Sequence, residues 1–167
     1  DAKSNPISRE DLVDLIDELG KIRGRHTELV TVYVPADYNL NGVISQLESE
    51  KSTAKNIKSK TTQKNVVDAI ERAVRQLRLI GRTPKNGLAV FSGNVAETEG
   101  QNDVKLWVVE PPEKIFARLY RCDQVFILDP LKEIIEIKEL FGLLVIDRKV
   151  ATIGLLEGKK IKMIQKL

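Results

Sequence analysis

Apolar residues recur along the chain in two rhythms, one near 3.6 residues and one near two. Leu12, Leu15, Ile16, Leu19 and Ile22 fall on one stripe at helical spacing, which predicts a first helix opening at Ser8. The Ser8 hydroxyl can cap the free backbone N–H groups, with Asp11 three residues on as a weaker capping-box partner. Gly20 and Gly24 weaken the far end of that helix. Leu29-Val30-Thr31-Val32-Tyr33-Val34 follows, rich in β-branched residues and closed by Pro35, and predicts a strand. Asn41 is the expected cap of a second helix, which runs through Val43, Ile44 and Leu47 to about Glu50. A third helix is expected from about Thr61 to Ile80. Its stripe is Val66, Val67, Ile70, Val74, Leu77 and Ile80, and Gly81 stops it. Lys51 to Lys60 is the polar junction between the two helices.

Strand patterns return at Leu88 to Ser92 and Val104 to Val109. The turn-rich stretch from Gly93 to Asp103 between them predicts a hairpin. Pro111-Pro112 breaks the chain, Arg118 to Cys122 is a fourth candidate strand, and Pro130 to Leu140 a short helix. Beyond it, Phe141 to Asp147, Val150 to Leu156 and Ile161 to Ile164 read as a β-meander that stops early. The expected architecture is α+β. A four-stranded antiparallel sheet is covered by helices, two of which form a helical hairpin. A first domain over residues 1–138 is expected to precede the truncated start of a second at 139–167.

Composition narrows the chemistry. The 167 residues are 42% hydrophobic, enough to bury a core, and the net charge is +3, a mild basic bias that permits an RNA partner. A single cysteine, Cys122, rules out an internal disulfide and points to a reducing, cytoplasmic setting. The apolar run Leu143 to Ile146 is far too short to span a bilayer, so no membrane partner is expected. His26 is the lone histidine, so a catalytic triad or a histidine metal site would have to centre on it, and a surface loop residue is the simpler reading. No cofactor is implied. The chain opens on Asp1 rather than Met, so an excised piece of a longer chain is expected.

Two local features carry candidate chemistry. No acidic residue occurs from Lys51 to Val67, while Lys51, Lys55, Lys58, Lys60 and Lys64 are basic. Lysines beside the free N–H groups of a helix start favour a phosphate or a polar base edge. On composition alone, a solvated helix–helix turn accounts for the same run. The second feature is Tyr120-Arg121-Cys122-Asp123-Gln124-Val125-Phe126. On an extended strand Tyr120 and Cys122 share a face, and a tyrosine can stack on a base and also hydrogen-bond to it. Ordinary core packing of Cys122 and Phe126 is the alternative.

Asn56-Ile57-Lys58-Ser59 and the Tyr-x-Cys-x-x-x-Phe run at 120–126, in this order and at this separation, resemble the N-terminal domain of archaeal and eukaryotic class 1 translation release factors. Asn86 to Gly93 is similar to the family's strand after the long helix, and Phe141 to Asp147 to the opening strand of its middle domain. The resemblance covers nearly the whole chain and points to an archaeal member.

It implies that Asn56, Ile57, Lys58 and Ser59 approach the first base of the stop codon, always uridine. It implies that Tyr120 contacts the following purines, with Cys122, Asp123 and Phe126 shaping the pocket and Glu50 working with the tyrosine. A third family element, Gly-Thr-Ser or Gly-Thr-Glu, is matched by His26-Thr27-Glu28. Thr27 carries over, whereas His26 replaces the glycine and puts in doubt any role that needs positive φ. The expected partners are the mRNA stop codon and decoding-centre RNA, with a class 2 release-factor GTPase binding through a domain absent here. The family's Gly-Gly-Gln signature of peptidyl-tRNA hydrolysis is absent from the chain, so a non-catalytic, codon-reading piece is expected. An RNA-binding or ribosome-rescue module without codon reading is the alternative. The truncated C-terminal strands are expected either to pair with a second copy or to project through few contacts.

Overall fold

The structure, a computed structural model, describes residues 4–136. Helix α1 (Arg9–Gly20) leads into strand β1 (Leu29–Val34). The hairpin helices α2 (Leu40–Ala54) and α3 (Lys60–Ile80) follow, then strands β2 (Leu88–Asn94), β3 (Val104–Val109) and β4 (Leu119–Asp123). A fourth helix is described over 129–136. The sheet has the order β3-β2-β1-β4 with every neighbour antiparallel, which is the expected α+β architecture. The chain divides into two compact units, Asp1–Leu131 and Lys132–Leu167. The strands expected from Phe141 onward, and any pairing through them, lie outside the described residues.

All six residues of β1 are buried, because it is a central strand covered on both faces. On one face Val30, Val32 and Val34 join Leu88 and Val90 of β2. They pack against Leu40, Val43 and Leu47 of α2 and a continuous row from Val66 to Leu77 of α3. On the other face Tyr33, Phe91, Phe126 and Trp107 form a chain of edge-to-face rings, with centroids 5.9, 5.5 and 5.7 Å apart in turn. Leu12 and Leu19 of α1, with Leu128 and Leu131, are fully or nearly fully buried on that side. Register is held across the sheet by Val32, which stands opposite Val90 on one side and Tyr120 on the other.

Several boundaries differ from the expected ones for local reasons. Ser8 caps α1 as expected, accepting from Asp11 N at 3.1 Å. The cap of α2 is Asn39, not Asn41. Asn39 sits in the extended region and its side chain accepts from the Asn41 N–H at 3.0 Å. Helix α2 also runs on to Ala54. The Ser52 and Thr53 hydroxyls bond back to the carbonyls of Glu48 and Ser49 at 3.2 Å, so these polar residues continue the helix instead of breaking it. Ala54 thereby continues the buried face begun by Val43 and Leu47. The junction shrinks to residues 55–59.

The turn into β2 depends on Gly87. Its φ is +87°, and a Cβ there would lie 2.5 Å from the Val34 carbonyl oxygen and 2.9 Å from Ile115. Gly100, in the β2–β3 loop, has φ +79° but open space around it. Gly87→Ala is therefore expected to cost about 2–4 kcal/mol, from left-handed strain plus a backbone clash, and Gly100→Ala only about 1 kcal/mol. Urea unfolding of both variants measures the contrast, and equal losses would contradict it.

Candidate nucleic-acid interface

The tip of the α2–α3 hairpin is a tight, anchored loop. The N–H of Asn56 donates to Thr53 O and that of Ile57 to Ala54 O, each at 3.0 Å, which closes the last turn of α2. The Gln63 side-chain amide donates to the Lys55 carbonyl, tying the first turn of α3 back to the end of α2. Ile57 packs against the hydrophobic core, whereas Asn56 and Lys58 on either side of it are exposed. The loop thus has an apolar anchor and two polar projections. Ser59 caps α3 in an extended conformation and accepts from Thr62 N at 3.3 Å. Its hydroxyl oxygen serves the helix, while its proton remains able to donate. Lys55, Lys58 and Lys60 cluster in the positive field of this helix start.

Antiparallel pairing with β1 sets Tyr120 opposite Val32 and Cys122 opposite Val30. Both side chains therefore lie on the face covered by the hairpin, half-buried against its core. The Tyr120 hydroxyl and the Cys122 sulfur are 3.0 Å apart. Burial pushes the Tyr120 pKa up strongly, helped by the hydrogen bond to Cys122 and by the Glu50 carboxylate. Burial likewise pushes the Cys122 thiol up, with Glu50 adding to the effect and the Tyr120 hydrogen bond opposing it. Glu50 thus lies within electrostatic reach of both residues although 70 positions separate it from Tyr120. It lies one helical turn before Ala54, so the group sits about 6 Å along α2 from the root of the loop. The arrangement presents a neutral phenol, a neutral thiol and a carboxylate, all able to hydrogen-bond to a base edge.

Two expected members stand elsewhere. Phe126 is buried on the opposite face of the sheet, between Phe91 and Trp107, so it does not line the Tyr120–Cys122 pocket. Asp123 pairs with Leu29 and also falls on the far face by strand alternation; its carboxylate accepts from Gln124 N at 2.6 Å. Both residues shape the turn after β4, which is tied down where Thr31 Oγ1 accepts from Ile127 N and Tyr33 donates to Ile127 O.

The segment before β1 forms a second polar region. His26 and Thr27 are exposed, while Glu28 is only 2% exposed. Its carboxylate accepts from the Asn65 side chain at 3.0 Å, and Asn65 Oδ1 accepts from Asn94 at 3.5 Å. Asn94 in turn holds the β2–β3 loop, accepting from Ala96 N and Asp103 N at 3.0 Å each. A polar cleft of about 210 Å³ opens between these elements, walled by His26, Glu28, Ser59, Lys64, Asn65 and Asn94. Among non-glycine residues described, only Asp37 has positive φ, so His26 occupies an ordinary backbone position. Asn65 and Asn94 are functional candidates that sequence reading passed over. The available signal was a polar side chain at the edge of the apolar stripe of α3. Among the described residues no group of three or more His, Cys, Asp or Glu could hold a metal ion, and no helix is long and apolar enough to cross a membrane.

A family model described as eRF1 domain 1 matches residues 9–136. The peptide chain release factor subunit 1 of Pyrococcus abyssi is 54% identical over 152 residues, covering 91% of this chain and 37% of that protein. The protein of the same name from Methanopyrus kandleri is 44% identical over 166 residues, covering 99% of this chain and 40% of its own length. The crystal structure of the archaeal translation termination factor aRF1 superposes with a TM-score of 0.70 at 34% identity, over 77% of this chain and 35% of that one. The chain thus spans well under half the length of the relatives it matches.

The raised pKa values of Cys122, Tyr120 and Tyr33 carry a pH signature. In the unfolded chain the thiol loses its proton near pH 9.0 and the phenols near pH 10.0, whereas the folded protein keeps all three protonated to higher pH. The unfolded state then binds fewer protons than the native state, so stability falls as pH rises. The contribution is intact below about pH 9 and is lost progressively above it. Denaturant midpoints measured from pH 7 to 11 are expected to show this fall, weakened in Tyr120→Phe. A midpoint that rises through this window would contradict the burial of these groups.

Proposed function

The chain belongs to the eRF1 domain 1 family, and from that premise we propose that it reads the stop codon in the ribosomal decoding site during translation termination. The observation that supports this most directly is the hairpin tip. It is free of acidic residues, anchored through Ile57, and projects Asn56 and Lys58 into solvent. An exposed amide and an ammonium held on a rigid loop suit the carbonyl oxygens and phosphate of a uridine, and Ser59 keeps one hydroxyl proton to donate. Tyr120 and Glu50, one step along the same face, would contact the purines that follow. The phenol supplies a donor that stays neutral, and the carboxylate accepts from an exocyclic amine. Thr27 and the cleft beside Asn65 would border the codon from the other side.

Discrimination in such a site comes from hydrogen bonds left unmade. A wrong base strands a buried donor or acceptor, at a cost of about 1–3 kcal/mol for each group. The role is recognition rather than chemistry. Peptidyl-tRNA cleavage would fall to the Gly-Gly-Gln element of the longer factor, and a class 2 GTPase would dock on a further domain of it. Both lie outside this chain, and the setting is the cytoplasm.

Lys58→Ala and Asn56→Ala, placed in a full-length factor carrying this domain, are expected to slow peptide release on stop-programmed ribosomes. The expected drop is roughly 100-fold for Lys58, the scale of one lost charge-assisted hydrogen bond plus its unpaired partner. Melting temperatures should not change, since both side chains are exposed. Normal release on all three stop codons by both variants would overturn the proposal.

A further inference from the structure

Arg118 stands two residues before Tyr120, and strand alternation puts it on the same sheet face, toward helix α2. Its side chain is held in two directions at once. The guanidinium lies over the Tyr38 ring, 5.3 Å from the centroid, and one of its N–H groups donates to Oε1 of Gln46 on α2. The Tyr38 seat is itself fixed. Its N–H donates to Pro35 O at 3.2 Å, and its carbonyl accepts from the Thr83 hydroxyl at 2.6 Å. The chain leading to Arg118 is fixed as well, because Ile115 donates to Asn86 O at 3.1 Å and accepts from Ala36 N at 3.0 Å. Arg118 therefore ties the edge of the sheet to the middle of α2 from an anchored seat.

Gln46 and Glu50 are four residues apart on α2, so they share a face and lie about 6 Å apart along the axis. Arg118 and Tyr120 are two residues apart, about 7 Å along the strand direction. The two intervals nearly match, so helix and strand meet as two successive rungs. Gln46 meets Arg118 on the first, and Glu50 comes within electrostatic reach of Tyr120 on the second. β4 is an edge strand, paired with β1 alone among the described residues, so its spacing from α2 is held from one side only. Gln46 is exposed and Tyr38 is 42% exposed, so the contact does not serve the core. A guanidinium suits this place because its plane stacks on a ring while its rim donates sideways, which an ammonium cannot do at once.

We propose that Arg118 is a positioning residue: a strut, seated on Tyr38 and bonded to Gln46, that sets the width of the groove between α2 and β4 holding Tyr120, Cys122 and Glu50. Its consequence for purine selection rests on the codon-reading role proposed above. A base edge is matched only when donors and acceptors on both walls stand at hydrogen-bond distance together, and a gap wider by about 1 Å leaves one wall unbonded. Arg118 acts through Tyr120 and Glu50 and has no contact of its own with the base. Cys122 lies two residues beyond Tyr120 on the same face, half-buried, and is the sole cysteine of the chain, so its accessibility reports the state of the groove directly.

The test reads the groove first and the codon second. In the 167-residue chain, the rate at which iodoacetamide alkylates Cys122 is expected to rise about three- to tenfold in Gln46→Ala and in Arg118→Ala, as the groove opens. Losing the guanidinium's charge would by itself disfavour the thiolate and slow the reaction, so a faster rate reports access. The double variant should match Arg118→Ala alone, because both changes remove the same bond. Gln46→Glu keeps an acceptor for the guanidinium, and Lys114→Ala changes an exposed position in the same segment, so both should stay within about twofold of the parent. Alanine at position 46 raises helix propensity, so the fold is retained. In a full-length factor carrying this domain, the ratio of release on UAA to release on UAC is expected to fall about tenfold in Gln46→Ala, whereas mere destabilisation would lower both alike. Unchanged alkylation in both single variants would overturn the strut, and so would an equal gain in Lys114→Ala. Faster alkylation with an unchanged codon ratio would support the strut and count against codon reading through Tyr120, so the two failures are told apart.

Discussion

Strand β1 has no face to spare. Its six residues are buried in the middle of the sheet, so its two sides must be covered by different elements at once. Val30, Val32 and Val34 require the α2–α3 hairpin, and Thr31 and Tyr33 require the turn after β4. Slipping the register by one residue would exchange these sets. It would place the Tyr33 hydroxyl under the helices and the valines against Ile127. The same alternation decides where the candidate chemistry lies. Tyr120 and Cys122 share the valine face because they pair with Val32 and Val30, and that face is the one α2 carries Glu50 toward. Position in the sheet, rather than any property of the tyrosine itself, makes it a partner of the hairpin.

Most of the elements were legible from periodicity, because each has a strong local signal. The stripe of α3 and its glycine stop, the β-branched run of β1 and the turn-rich hairpin between β2 and β3 all appear where the pattern put them. Legibility failed where a polar side chain does something local that composition does not reveal. Asn41 was the expected cap, and only the backbone decides that Asn39, two residues earlier, accepts and Asn41 donates. Ser52 and Thr53 read as loop residues until their hydroxyls are seen bonding back along the helix. Among the candidate site residues, Tyr120 and Cys122 lie on the sheet face covered by the hairpin, within electrostatic reach of Glu50. Phe126 does not, since a motif fixes spacing along the chain and says little about which side of a sheet a residue takes once the strand has ended. The Glu28–Asn65–Asn94 chain joins residues 37 and 29 positions apart, and its one sequence signal, a polar Asn65 beside the apolar stripe of α3, does not name its partners.

Helix α3 spans 21 residues and bears the tip at its N-terminal end. Mechanically it is a lever about 31 Å long. A tilt of about 2° at its far end displaces the tip by about 1 Å, enough to spoil hydrogen-bond geometry. The row from Val66 to Leu77, seated on Val30 to Val34 and Val90, is what resists that tilt. In the proposed role, fidelity of base reading is therefore set partly by valines and alanines deep in the interior. Removing a methyl group there would alter accuracy at a distance, through leverage, well before it threatened the fold.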